Sequence, residues 1–388
     1  FFFVFEMEAV SAGFKRVLLD TTFADLFIKI GKETISAHRG IVAVRCPEIC
    51  PLPDPTSKKK IKDKTTVSIK SIQNSSIFMK VLEYIYSGSV NFTTMTPEAI
   101  MELNKAGKIF NLRRLSYICE DYFQQNINLK NVFEILVAAH KLNEPTVKSF
   151  CKFFAIEHFN EFVMSIEGLH VLGIDLFQEC VTAYLTFQAT GSLSKVSLGE
   201  PPADTLLVDL QRLFKMMPYS DCKFFIEGEE VQCHKGILGA NSDKFKMLCK
   251  DIPASGGPLN GISLDGFKSM LKYLYYGDDN IEPLPACELV AFARANDLRE
   301  LLTLCENKIR NSIAKETVIE ILEVAYQPEM AQKQDLVEEL KSKTFPFVAE
   351  NFKEIDLTPL RTRMNQKSVM IAADLILYLQ DVHRKGQK

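Results

Sequence analysis

The stretch Ala24-Asp25-Leu26-Phe27-Ile28-Lys29-Ile30, followed by His38-Arg39-Gly40-Ile41-Val42, decides the fold because it occurs twice. Its second copy is Ser220-Asp221-Cys222-Lys223-Phe224-Phe225-Ile226, followed by His234-Lys235-Gly236-Ile237-Leu238. In each copy the histidine stands 13 residues after the aspartate, and a base, a glycine and two aliphatic residues follow it. The copies lie 196 residues apart. Self-similarity of this kind marks a repeated structural unit.

Outward from that stretch the match continues in the same order. Leu82-Glu83-Tyr84-Ile85-Tyr86-Ser87-Gly88 meets Leu271-Lys272-Tyr273-Leu274-Tyr275-Tyr276-Gly277. Asn111-Leu112-Arg113-Arg114-Leu115 meets Asp297-Leu298-Arg299-Glu300-Leu301, and Cys119-Glu120 meets Cys305-Glu306. Val132-Phe133-Glu134-Ile135-Leu136 meets Val318-Ile319-Glu320-Ile321-Leu322, with Ala139 on Ala325. The separation shrinks from 196 to 189 to 186, so the first copy carries insertions, the first of them between His38 and Leu82. That segment holds Pro47, Pro51, Pro53 and Pro55, which read as loop. The basic run Lys58-Lys59-Lys60 with Lys62 and Lys64 reads as its solvated part.

Within one copy, alternation at Leu26, Ile28 and Ile30 predicts a half-buried strand. Gly31-Lys32 resembles a hairpin turn, leading to a second strand at Thr34-Ile35-Ser36. In the second copy that turn sits at Glu227-Gly228. His38 to Arg45 starts a helix, and Val67-Ser68-Ile69 is a further short strand. Phe78, Val81, Leu82 and Ile85 fall on one helical face, and Gly88 ends that helix. Helices are expected at about 97–109 and 112–125. Residues 126 to about 188 read as helical throughout, with Asn128 and Asn131 as candidate caps and Pro145 at a helix start or break. The expected organisation is a mixed module at 14–126, a helical extension at 127–190, a linker at 191–204, a second module at 205–312 and a second extension at 313–388. The helix opening the second module, Leu206 to Met217, offers Leu206, Leu207, Leu210 and Leu213 as an apolar face for self-association. The fold class is therefore α+β, two small α/β modules each followed by an all-helical extension.

The chain has 388 residues, 47% hydrophobic and 24% charged, enough apolar material for full cores. Its net charge of −3 gives no support to nucleic-acid binding, which needs a concentrated positive field. Ten scattered cysteines without a secretory signal read as reduced thiols, hence an intracellular protein, cytoplasmic or endomembrane-associated. The run Phe1-Phe2-Phe3-Val4-Phe5 is too short for a membrane span and reads as a strand belonging to a larger protein.

No catalytic or cofactor arrangement is expected. A phosphate loop and a nucleophile elbow are both missing. Cys46 and Cys50, or Cys233 beside His234, do not supply zinc spacing, so the thiols read as structural and no metal is expected. The repeated Asp/His pair suggests either acid–base chemistry or a structural pair at a strand–helix junction. Its occurrence in both copies favours the structural reading, and Asp25 could instead pair with Arg39, and Asp221 with Lys235, since a half-buried carboxylate needs a partner.

These motifs resemble the BTB (POZ) domain: Ala24 to Val42 and Ser220 to Leu238 for its strand–turn–strand–helix opening, Leu82 to Gly88 and Leu271 to Gly277 for a later helix end. The tails resemble the BACK extension, at Val132 to Ala139 and Val318 to Ala325. The order BTB-BACK-BTB-BACK is similar to that of a group of regulators in which kelch blades precede the two modules. The resemblance implies an adaptor of a cullin-RING ubiquitin ligase of the cullin 3 type, self-associating through BTB surfaces. It further implies Ras-family GTPase substrates taken by a propeller outside this chain. A scaffold or transcriptional co-regulator that ignores cullin is the alternative. By resemblance, cullin contacts fall to Phe245, Leu248, Ile252 and Tyr276. The sequence departs from the cullin-binding pattern in that Ala254 stands where glutamate is expected, and the first copy has the proline-rich Ile49 to Asp54 there.

Overall fold

The computed structural model describes residues 2–54, 56, 63–191, 197–326, 334–358 and 366–386. Most of the basic run, Lys58 to Lys60 and Lys62, lies outside the described residues, as does Pro55. The chain divides into two compact units, one of residues 18–219 and the other of residues 1–17 with 220–388.

In the unit of residues 18–219, strands β1 (Leu26–Ile30) and β2 (Glu33–Ala37) form an antiparallel hairpin, and β3 (Thr65–Ile69) lies parallel on the other side of β1. Gly31, at φ +58°, makes the turn. Leu26, Ile28 and Ile30 point into the core and are at most 2% exposed, the period-two burial of a half-covered strand. Parallel pairing requires a crossover, which α2 (Arg39–Arg45) and the proline-rich loop provide. Helix α3 (Ser75–Ser87) buries Phe78, Val81, Leu82 and Ile85 and stops at Gly88, which has φ +70°. Helices α4 (Pro97–Ile109) and α5 (Arg113–Asn126) complete the module.

The helical extension is five helices: α6 (Val132–Lys141), α7 (Pro145–Glu157), α8 (Phe159–Met164), α9 (Ile166–Leu172) and α10 (Ile174–Thr190). Pro145 opens α7, where its missing N–H is harmless. Asn131 precedes α6 without capping it; its side chain accepts from the Asn128 N–H instead.

The other unit repeats the plan. Strands β4 (Cys222–Ile226) and β5 (Glu229–Cys233) pair antiparallel, and β6 is only Gly257–Pro258, parallel to β4. Helices α12 (Lys235–Asn241), α13 (Asp243–Asp251), α14 (Leu264–Tyr276), α15 (Pro283–Ala295) and α16 (Arg299–Asn311) follow. The second extension, α17 (Val318–Ala325), α18 (Gln334–Asn351) and α19 (Gln366–Gly386), closes around Val318, Leu322, Val348, Ile371 and Leu375.

Two helices depart from simple succession. Helix α11 (Leu206–Met216), which leads in sequence into the second module, packs within the unit of the first. Helix α1 (Phe2–Leu19), which leads into the first module, falls almost wholly in the unit of the second. The strand expected from the phenylalanine run is thus corrected to a helix. Val10, Phe14 and Val17 fall at i, i+4 and i+7 and are buried, and this helical face outweighs the β preference of a short aromatic run.

Candidate protein-interaction site

Each module is held at its strand–helix junction by residues from distant parts of the repeat. The His38 N–H donates to the Tyr86 hydroxyl at 2.8 Å, and His38 Nδ1 lies 2.9 Å from the same oxygen. His234 and Tyr275 repeat this at 2.9 and 2.8 Å. One hydroxyl can accept from the amide and donate to Nδ1. Burial pushes both phenols far above their ordinary pKa, so both keep the proton that this requires. A His/Tyr lock thus ties the first half of the repeat motif to the second. The spacing Tyr-x-Tyr-x-Gly was the available signal for the partner.

The aspartates serve the next residue. The Arg39 N–H donates to Asp25 Oδ1 at 2.8 Å and Arg39 Nε to Oδ2 at 2.7 Å. Arg39 also donates to the Asp63 carbonyl and stacks over the Tyr219 ring, 4.6 Å from its centroid. Asp221 takes the Lys235 N–H at 2.8 Å. These are structural contacts at a helix start.

The residues assigned to cullin by resemblance lie on α13 and at the end of α14, with unequal exposure. Phe245 is fully buried, its ring 5.9 Å from that of Phe292, and Ile252 is 9% exposed. Neither presents much surface, so Phe245 is corrected from a contact to a core residue. Leu248 and Tyr276 are half-buried. Tyr276 hydroxyl reaches Asp278 at 3.4 Å, and burial together with that carboxylate pushes it up to about 12. Met247, which sequence reasoning passed over, is 66% exposed on α13. Among the described residues the first copy has no counterpart to α13: Pro47, Pro51 and Pro53 stand there, and proline in a helix interior removes a donor and clashes with the preceding turn.

The apolar face of α11 is occupied. Leu206, Leu210 and Leu213 are at most 1% exposed and Leu207 is half-buried, and the helix lies against α2. Arg45 at the end of α2 meets Asp209 of α11 at 2.6 Å. Three buried thiols, Cys222, Cys233 and Cys249, lie in the second module, and the Cys233 Sγ donates to the Cys222 backbone carbonyl at 3.9 Å. Among the described residues no group of three or more His, Cys, Asp or Glu is arranged to hold a metal ion. A groove of about 710 Å³ runs along α7 and α10, and its Lys152 and Glu179 are paired with each other at 2.5 Å. No helix among the described residues is long and apolar enough to cross a membrane.

Two small mixed modules of one plan, locked by the same His/Tyr pair and each trailed by helices, define a tandem protein-interaction architecture. The BTB/POZ domain matches residues 14–127 and 210–313, and the chain belongs to that family. The leucine-zipper-like transcriptional regulator 1 of Mus musculus is 27% identical over 242 residues, 58% of this chain and 28% of that protein. Its Drosophila melanogaster homolog is 25% identical over 266 residues, 64% of this chain and 27% of that protein. TD and POZ domain-containing protein 2 of Mus musculus is 26% identical over 162 residues, 40% of this chain and 42% of that protein. The chain spans about a quarter of the length of the regulator relatives it matches. At the level of the family, it is a protein-interaction adaptor or scaffold whose modules self-associate and bind protein partners.

Proposed function

We propose that the chain is the non-enzymatic adaptor and self-association region of a substrate receptor for a cullin-RING ubiquitin ligase of the cullin 3 type. The tails would act as BACK extensions, and Ras-family GTPases would be engaged by a kelch propeller outside this chain. The observation that carries the reading is the asymmetry at α13. The second module keeps a helix there with Met247 exposed, Leu248 half-buried and Ile252 at its end, whereas prolines occupy the place in the first. One cullin per chain, bound by the second module, follows from that asymmetry. The test is a titration of the whole chain with the purified cullin N-terminal domain. Sub-micromolar binding of one cullin per chain, lost in Met247→Asp with Leu248→Asp while the circular dichroism is unchanged, supports the reading.

A second reading draws on Ala254, which stands where the cullin-binding pattern has glutamate, and on relatives whose printed names say transcriptional regulator. On that reading the chain is a scaffold or co-regulator that ignores cullin. No binding at high micromolar cullin gives it first place.

A further inference from the structure

The two exchanged helices sit on seats of different charge. On the first module, Arg45 is 4% exposed and its Nη1 meets Asp209 of α11 at 2.6 Å, while its Nε donates to the Ile85 carbonyl. Thr205, just before α11, accepts from Arg45 at 3.1 Å and donates to the same carboxylate at 2.7 Å. Arg114 of α5 donates to the Pro202 carbonyl and lies 3.5 Å from Asp204, whose other oxygen takes the Leu206 N–H. On the second module the repeat places Asn241 where the first has Arg45, and Glu300 where it has Arg114. Both receive Arg16 of α1, at 3.3 Å and 2.9 Å. The seats therefore offer two cations in one module and an amide with a carboxylate in the other.

The helices carry matching differences. At the repeat separation Asp209 of α11 corresponds to Gly13 of α1, while Leu206, Leu210 and Leu213 correspond to Val10, Phe14 and Val17. Both helices bring an apolar face at the same three positions, but only one brings a group that answers the Arg45 charge. Seated on the first module, α1 would bring a glycine to a nearly buried guanidinium, and an uncompensated buried charge is strongly destabilising.

We infer that Arg45 is a selector: it makes the first module accept α11, through Asp209, and reject α1, so that the two modules exchange leading helices within one chain. The consequence is a rule of partner choice. A first module does not pair with a first module of another chain, because the helix that pair would exchange lacks the acid. This specifies the self-association invoked above without depending on cullin.

The experiment uses the whole chain and reads amide hydrogen exchange over residues 206–216, with light scattering for mass. Asp209→Arg and Arg45→Asp each raise exchange there by at least about tenfold, and the double reversal brings it back toward the unaltered chain. Asp209→Asn, which keeps the shape and removes the charge, carries the same test should arginine at 209 unfold the chain. A peptide of residues 202–217 added to the Asp209→Arg chain binds the vacated seat. A peptide of residues 6–19, and the 202–217 peptide with Asp209→Gly, bind at least about tenfold more weakly. The unaltered chain has the mass of one chain at micromolar concentration. Equal binding of the α1 and α11 peptides overturns the inference, as does a double reversal no better protected than either single variant, or a two-chain mass for the unaltered protein.

Discussion

The first and second modules share a backbone plan and differ in what holds it. In the first, the carboxylate after the leading loop meets a guanidinium, Asp25 with Arg39, their side chains 15% and 7% exposed. In the second the same place holds Asp221 and Lys235, joined by a bond from the lysine's backbone N–H. The first lines its hairpin with Leu26 and Ala37, the second with Cys222 and Cys233. The first spends a proline-rich loop where the second builds α13. A duplicated module can thus keep its lock and reassign its margins.

The largest expected effect breaks the comparison at the ion pair. Arg39→Ala leaves Asp25 half-buried without its guanidinium and removes the contacts to Asp63 and Tyr219. A loss of about 3–5 kcal/mol is expected, the range for removing one partner of a buried pair. Lys235→Ala should cost less than about 1 kcal/mol, since the backbone bond to Asp221 survives it. Amide exchange in β1 and β2, set against β4 and β5, reads the two cases in one chain. Equal losses would mean that the two junctions are energetically the same despite their chemistry.

The modules should agree at the lock. Tyr86→Phe and Tyr275→Phe each strip the acceptor from a buried histidine N–H, and each should cost about 1–3 kcal/mol. Unequal losses would show that one copy has lost its dependence on the motif. A smaller effect belongs to Gly88. Alanine there must hold φ +70°, and its Cβ would come 3.2 Å from Leu206 Cδ2. The left-handed conformation costs a non-glycine residue about 1–2 kcal/mol, and crowding of Leu206 should loosen α11 as well. Thermal unfolding and exchange over residues 206–216 check both.

Where the sequence was legible, the signal was local. Alternation at Leu26, Ile28 and Ile30 and the glycines that end helices at 88 and 277 act within a few residues, and the elements fall where those signals put them. The repeat itself supplied the family. What did not show was long-range. Periodicity assigns Leu206, Leu210 and Leu213 to one face, but it does not say which surface covers that face, and the covering surface lies in the other copy. The His/Tyr lock was hidden for the same reason, because its partners are 48 and 41 residues apart. The phenylalanine run misled because β propensity is a context-dependent preference that the helical spacing of Val10, Phe14 and Val17 overrode. Phe245 was assigned to a partner by resemblance, but its own side of α13 faces the core.

The smallest effect compares the two helical extensions. In the first, Glu179 of α10 receives Lys152 at 2.5 Å and Lys148 at 2.9 Å from α7, and hydrogen bonds from those lysines, Lys152 first, hold its carboxyl down at about 2. In the second, Glu354 meets Lys315, and the hydrogen bond and charge of that lysine lower its carboxyl in the same direction. A carboxylate whose folded pKa is depressed contributes stability above its unfolded pKa, about 4.3 for glutamate, and loses it as pH falls toward the folded value. For Glu179 that window runs from about 4.3 down to about 2. Its side chain is 37% exposed, so solvent screening keeps the contribution below about 1 kcal/mol. Lys148→Gln with Lys152→Gln should return the Glu179 carboxyl to the ordinary range in an NMR titration. The same change should flatten the acid dependence of α10 protection while leaving α17 and α18 unmoved. A Glu179 titration that stays near 2 in the double variant would mean that the lysines are not its cause.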